Sequence, residues 1–297
     1  MKKIAILGLV GLLGMAMPVT AAEPWEQEVA AAIGKPGTEM PGGVYRIGLP
    51  RSDLKVTLDG VAIKPALALG SWLAFVGHGQ GQVMVMGDLV LTDTEVNPVM
   101  AKLISGGVEI TALHNHLLRN TPHTMYMHIA GHGAPGPLAK LLHDALALSG
   151  TPLSAPPAAS PAAPETIDLD TAALDRIIGH KGKVGGGVYA FGIPRAEAPR
   201  EGGMALPPAM GSAEAINFQP TGGGKAAITG DFVLTSAEVN PVLRALRENG
   251  IEVTALHNHM LDDEPRLFFM HFWANDDAQK LARGIAAALS HVAVAAS

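Results

Sequence analysis

The sequence predicts an α+β fold made twice: two tandem copies of a mainly antiparallel sheet with helices packed on one face. Three observations carry that expectation. A duplication runs through the chain at a nearly constant offset, each copy orders its elements strand–helix–strand–strand–helix, and a Pro/Ala-rich segment lies between the copies. Thr111-Ala112-Leu113-His114-Asn115-His116 recurs as Thr254-Ala255-Leu256-His257-Asn258-His259, an offset of 143 positions (111 to 254). Glu95-Val96-Asn97-Pro98-Val99, Gly87-Asp88 and Met127-His128 return at the same offset as Glu238-Val239-Asn240-Pro241-Val242, Gly230-Asp231 and Met270-His271. Gly43-Val44-Tyr45 and Pro50-Arg51 return one position later, as Gly187-Val188-Tyr189 and Pro194-Arg195.

The first 22 residues read as a signal peptide. Lys2 and Lys3 precede an uncharged apolar stretch, and small residues (Thr20, Ala21, Ala22) stand just before Glu23. The stretch is shorter than the roughly 20 apolar residues of a spanning helix, so no stable membrane insertion is expected after cleavage. The expected compartment is the periplasm or the extracellular space. There is no cysteine, so neither disulfides nor a lipid-bearing cysteine is available. A net charge of −6 and no basic run exclude the electrostatic footprint of a nucleic-acid binder.

The first copy is expected over residues 23–149 and the second over 166–297, joined by a linker at 150–165 that carries Pro152, Pro156, Pro157, Pro161 and Pro164. Two arrangements stay open: tethered domains, or copies packed together as a pseudo-dimer. Each copy opens with a short helix (25–33 and 169–178) stopped by Gly34 or Gly179. Strands are expected at 44–49 and 188–193, then at 83–91 and 226–234. Asn97-Pro98 and Asn240-Pro241 predict a helix start, with Asn as cap and Pro at the first position. Thr92 to Glu95 and Thr235 to Glu238 also have capping-box spacing, which the prolines place in a turn before the helix. Two strands (108–118 and 124–130; 251–261 and 267–273) and a closing helix (137–149; 276–289) complete each copy.

On a strand, alternate residues share a face. Val108, Ile110, Ala112, His114 and His116 form the more apolar face, and Ile251, Val253, Ala255, His257 and His259 repeat it. A hairpin turning at Pro122 sets His116 opposite His128, and one turning at Pro265 sets His259 opposite His271, provided the register does not slip. Three imidazoles around an open position suit a transition metal, zinc or copper. The expected ligands are therefore His114, His116 and His128 in one copy and His257, His259 and His271 in the other. Glu95 and Glu238 are candidates for a carboxylate ligand or a base toward bound water. The bland reading is that the histidines are hydrogen-bonded core residues. Met125 and Met127 face away from His128 and read as core filling rather than copper ligands.

With Gly-Asp and Glu-Val-Asn-Pro-Val upstream and the Met-His strand downstream, the Thr-Ala-Leu-His-Asn-His motif resembles the LppY/LpqO-like family of exported bacterial proteins over nearly the whole mature chain. The resemblance implies secretion and a doubled domain, and implies no particular activity. Three functions remain: a metal-binding protein, a metal-dependent hydrolase or lyase of the cell envelope, and a non-catalytic module for a small polar ligand.

Overall fold

The computed structural model describes residues 23–154 and 165–296; the expected signal peptide and most of the expected linker lie outside them. The first repeat runs α1 (Pro24–Ile33), β1 (Thr38–Met40), β2 (Val44–Pro50), β3 (Thr57–Leu58), β4 (Val61–Ala62), α2 (Pro65–Ala68), β5 (Gly70–Gly77), β6 (Val83–Thr92), α3 (Asp93–Ser105), β7 (Glu109–His114), β8 (Thr124–Gly133) and α4 (Pro135–Leu146). The second runs α5 (Thr171–Ile178), β9 (Lys183–Gly185), β10 (Val188–Pro194), β11 (Arg200–Glu201), β12 (Met204–Ala205), a 3-10 turn (Pro208–Met210), β13 (Ala213–Gly222), β14 (Lys225–Thr235), α6 (Ser236–Glu248), β15 (Glu252–His257), β16 (Asp263–Glu264), β17 (Leu267–Asp277) and α7 (Ala278–Leu289). Residues 150–154, expected as linker, pack on the first repeat: Leu153 lies against its core and Gly150 N donates to Glu95 Oε1.

Each repeat forms one antiparallel six-stranded sheet, in the orders β1-β2-β5-β6-β8-β7 and β9-β10-β13-β14-β17-β15. The order is the same in both, as the duplication requires. Helices α1, α3 and α4 cover one face of the first sheet over Ile47, Phe75, Leu89 and Met127, and Met125 packs against the same core. Helices α5, α6 and α7 cover the second over Phe191, Phe218, Phe232 and Met270. The other faces meet each other. Val90 and Tyr126 of the first repeat join Ala227 and Trp273 of the second in one core, and Met84 and Met86 join Val233 and Phe269 in another. The repeats are therefore a pseudo-dimer in four layers: helices, sheet, sheet, helices. Strands β5 and β13 escape the sequence reading because glycine and alanine interrupt the pattern around Trp72 and Phe75, and around Ile216 and Phe218.

The start of α3 and α6 differs from expectation. The helices begin at Asp93 and Ser236 with Thr92 and Thr235 as caps, and both capping boxes are complete. Pro98 and Pro241 sit inside the helices at the sixth position, where each removes one main-chain hydrogen bond to the carbonyl four residues earlier. Tertiary contacts decide the outcome. Buried Arg51 bonds both Glu95 oxygens and Val90 O, while Arg195 does the same with Glu238 and Val233 O.

Side chains of the duplicated motif join the repeats. Thr111 Oγ1 donates to His259 O at 2.7 Å, and Thr254 Oγ1 to His116 O at 2.6 Å. Asn115 Nδ2 donates to Thr254 O, and Asn258 Nδ2 to Thr111 O. Arms cross as well. The loop around α2 lies on the second sheet, where Gln219 bonds Lys64 N and Ala62 O, and the 3-10 turn lies on the first, where Ala209 O accepts from Arg46. Thr254→Val strands His116 O in a buried joint, so it is expected to cost about 1–3 kcal/mol. The check is the urea midpoint at unchanged slope; an unmoved midpoint would remove the bond from the account of docking.

Candidate functional site

The six histidines singled out by the motif lie in one buried place, between the sheets. A bulge in β7 between Ile110 and Ala112, and its counterpart in β15 between Val253 and Ala255, puts them there. Up to the bulge, Val108, Ile110, Ile251 and Val253 face the helices. Past it, His114 and His257 face the opposite repeat. The single alternating face read from the sequence is thus cut in two. The hairpin register also shifts: His128 and His271 stand opposite Ala112 and Ala255, while His116 and His259 lie beyond the ends of their strands.

Pseudo-twofold symmetry governs the cluster. The rings of His114 and His257 stack on each other at 3.4 Å between centroids. His116 lies on His271 at 3.6 Å, and His259 lies against His128 at 3.7 Å. Within the repeats, His114 Nε2 is 2.7 Å from His128 Nε2, and His257 Nε2 is 2.8 Å from His271 Nε2. The trio of the first repeat converges, with one donor atom from each of His114, His116 and His128 within 4.8 Å of the others. Among the described residues His259 is part of no such group. Two further groups cross the repeats: His114 with His257 and His271, and His116 with His271 and Asp231.

Two aspartates that the sequence reading left unassigned complete the site. Asp88 stands opposite His128 on β6, and Asp231 opposite His271 on β14. The Gly-Asp pair repeated at the motif's own offset was the available signal. Gly230 lets the neighbouring strand approach, since a Cβ there would collide with Ala215 O. Glu95 and Glu238, expected at the cluster, are corrected to another role. Their oxygens are taken up by Arg51 or Arg195, by the caps of their own helices, and by the amides of Gly150 or Ala293. His78 and His132 line a separate cavity with Met84, Glu109 and Glu201.

Hydrogen bonds to carbonyls assign the ring protons, because a carbonyl oxygen only accepts. His114 Nδ1 donates to Asn115 O, leaving Nε2 bare to accept from His128. In the second repeat both rings are committed: His257 Nδ1 donates to Asn258 O and His271 Nδ1 to Gly230 O, with Asp231 Oδ1 at 2.7 Å. Two bare nitrogens then face each other at 2.8 Å. A shared positive charge would relieve this: a proton fits on the line between them, and a metal ion, about 2.0–2.1 Å from each, would sit off that line. Five more atoms that converge on the site are buried without a partner: Asp88 Oδ1, Asp231 Oδ1, His116 Nε2, His128 Nδ1 and His259 Nε2. For Asp231 the short approach to His271 is an ion-pair contact without the angle of a hydrogen bond.

Electrostatics separate the halves. Burial, then the charge of Asp231, pushes the Asp88 carboxyl up to about 8. Burial would raise Asp231 as well, but His271 outweighs it and holds that carboxyl below its usual range. Burial would lower His271, but Asp231 raises it by charge and contact. Burial and neighbouring imidazoles hold His114, His116 and His128 well below the ordinary histidine range. Burial first brings His257 to about 3 and His259 to about 4.

Residues 27–148 and 172–291 each match the family described as Domain of Unknown Function (DUF1259). The chain belongs to this family. Its two matched segments coincide with the two sheets and their helices. No curated protein matches. Among solved structures, the chain has a weak likeness to a trimeric bacterial microcompartment shell protein, PduB. That likeness has 12% identity and a TM-score of 0.20, over 84% of this chain and 88% of that one. EtuB from Clostridium kluyveri gives 9% identity and a TM-score of 0.19, over 86% and 90%. Overlaps this poor carry no argument about fold or function.

Five buried histidines with lowered values resist protonation, whereas unfolded histidines take protons from about pH 6.5 down. Their contribution to stability is whole above about pH 6.5 and is lost as pH falls toward 4 and 3. His271, Asp88 and Glu214, all raised in the fold, work in the other direction and are outnumbered. The unfolding free energy of metal-free protein, from urea titration, is expected to drop between pH 7 and 5, and His259→Gln to flatten that dependence by up to about 1.4 kcal/mol per pH unit. An unchanged slope in the variant would contradict a neutral, buried His259.

Proposed function

We propose that this is an exported metal-binding protein of the periplasm or extracellular space, which holds one transition-metal ion between its two repeats. The observation that carries this reading is the pair of bare nitrogens on His257 and His271 at 2.8 Å, with a donor of His114, whose Nε2 would exchange its bond from His128 for the ion, within 4.8 Å of both. Each of these rings has its other nitrogen anchored on a main-chain carbonyl, the outer-shell arrangement that orients histidine ligands. Three imidazoles suit zinc or copper. The three possible donor groups share residues pairwise (His114, His116 or His271), so they favour one ion per chain over one per repeat. Among the described residues no helix is long and apolar enough to cross a membrane. Lys2, Lys3 and the apolar stretch after them, with the resemblance to exported proteins, support secretion.

A second reading, a metal-dependent hydrolase or lyase, is favoured by one feature. Asp88 and Asp231 border a cavity of about 430 Å³ beside the cluster, which gives a reactant room next to a carboxyl, that of Asp88, able to exchange a proton near neutral pH.

Elemental analysis after zinc or copper loading and desalting is expected to give one ion per chain. His271→Ala is expected to abolish retention, while Glu95→Gln and Glu238→Gln keep it. Retention of two ions would restore one site in each repeat. Retention of none would assign the shared cation to a proton on His271.

A further inference from the structure

The cavity beside the histidine cluster is unequal between the repeats. On the first sheet Arg46 and Trp72 project into it, with the guanidinium carbon 4.1 Å from the centre of the indole. The corresponding positions of the second repeat are Ala190, against Asn217 on β13, and Ala215, against Asp231 on β14. The second repeat therefore supplies room: Gly192, Ala213 and Ala215 form the opposite wall, closed at the side by Pro208, Ala209 and Gly211 of the crossing arm. Arg46 is half-buried and borders this space as well as two neighbouring cavities. Its one hydrogen bond among the described residues goes to Ala209 O, and no carboxylate pairs with it. Burial, partly offset by Asp88, pushes it down to about 10, a measure of how little compensates its charge. A half-buried cation without a counter-ion is costly, and a guanidinium presents a fork that matches a carboxylate or phosphate. Charge bookkeeping points the same way: a divalent ion and Arg46, set against Asp231 and an Asp88 that the ion would ionise, with Glu214 kept protonated by burial, leave one positive charge over.

From this geometry we infer that the cavity binds a small organic anion, its carboxylate or phosphate head on Arg46 and its apolar body between Trp72 and the glycine- and alanine-lined wall of the second repeat. The volume, about 430 Å³, lies within the range of small-molecule sites. The stacking of Arg46 on Trp72 holds the fork in place before the ligand arrives. The site has one anion position per chain, since Ala190 offers none. The surplus charge rests on the metal reading; the unpaired Arg46 and the shape of the cavity do not.

Calorimetric titration of the full chain with benzoate, phenyl phosphate and benzamide tests this, with and without loaded zinc. Benzoate or phenyl phosphate is expected to bind at least tenfold more tightly than neutral benzamide, and the tighter of the two identifies the head group. Arg46→Ala, which copies the residue of the second repeat, is expected to lose at least tenfold for the anion while circular dichroism and zinc content stay unchanged. Equal affinities in wild type and variant, equal affinities for anion and amide, or no heat at millimolar probe would overturn the inference. If zinc is not retained but anion binding still depends on Arg46, the metal reading falls and the anion site stands. If zinc is retained and Arg46 makes no difference, the reverse holds.

Discussion

Four hydrogen bonds hold this molecule in its working arrangement: Thr111 and Asn115 of one repeat and Thr254 and Asn258 of the other, each reaching the main chain across the joint. They lie next to the bulges that turn His114 and His257 away from the helices and toward each other. The same six residues thus do two jobs. Threonine and asparagine dock the repeats, and the histidines between them occupy the space that docking encloses. A motif under both demands has little freedom, which accounts physically for its identity in two copies that differ at most other positions.

Enclosing six imidazoles and two carboxylates is costly unless each finds a partner. The repeats solve this differently although their strands match. In the second, Asp231 is ionised against His271, and both rings of the close pair have spent their protons on carbonyls. In the first, His128 Nδ1 stays unpaired, Asp88 lies 4.0 Å away, and His114 accepts an ordinary ring hydrogen bond. The cation-demanding half is therefore the second one, completed by His114 of the first. The cavity is likewise a product of divergence. Arg46 and Trp72 face small residues at the matching positions, so exact symmetry would have filled the space or emptied it of charge.

Much of this was legible in the chain. The offset of 143 positions, the alternation that sends Met127 into the core away from His128, and the glycines that stop α1 and α5 are local signals, and local physics reads them. Other features were not. A bulge at Thr111 leaves no mark in an apolar–polar pattern, and the register of the hairpin was set by a connection centred at residue 120 rather than at Pro122. Pro98 argued for a helix start that the Arg51–Glu95 ion pair overrode from 44 residues away. Asp88 and Asp231 carry no chemistry by themselves, and acquire it only opposite His128 and His271.

By itself the sequence determined the α+β class, the doubling and the histidines that the repeated motif shares, because periodicity, turn chemistry and repetition act along the chain. Tertiary structure decided that the two clusters are one, that Asp88 and Asp231 rather than Glu95 and Glu238 stand beside it, and that Arg46 overlooks a cavity. Those are facts about which faces meet. A face is chosen by packing between segments some 140 residues apart, where neither strand's own pattern records its partner.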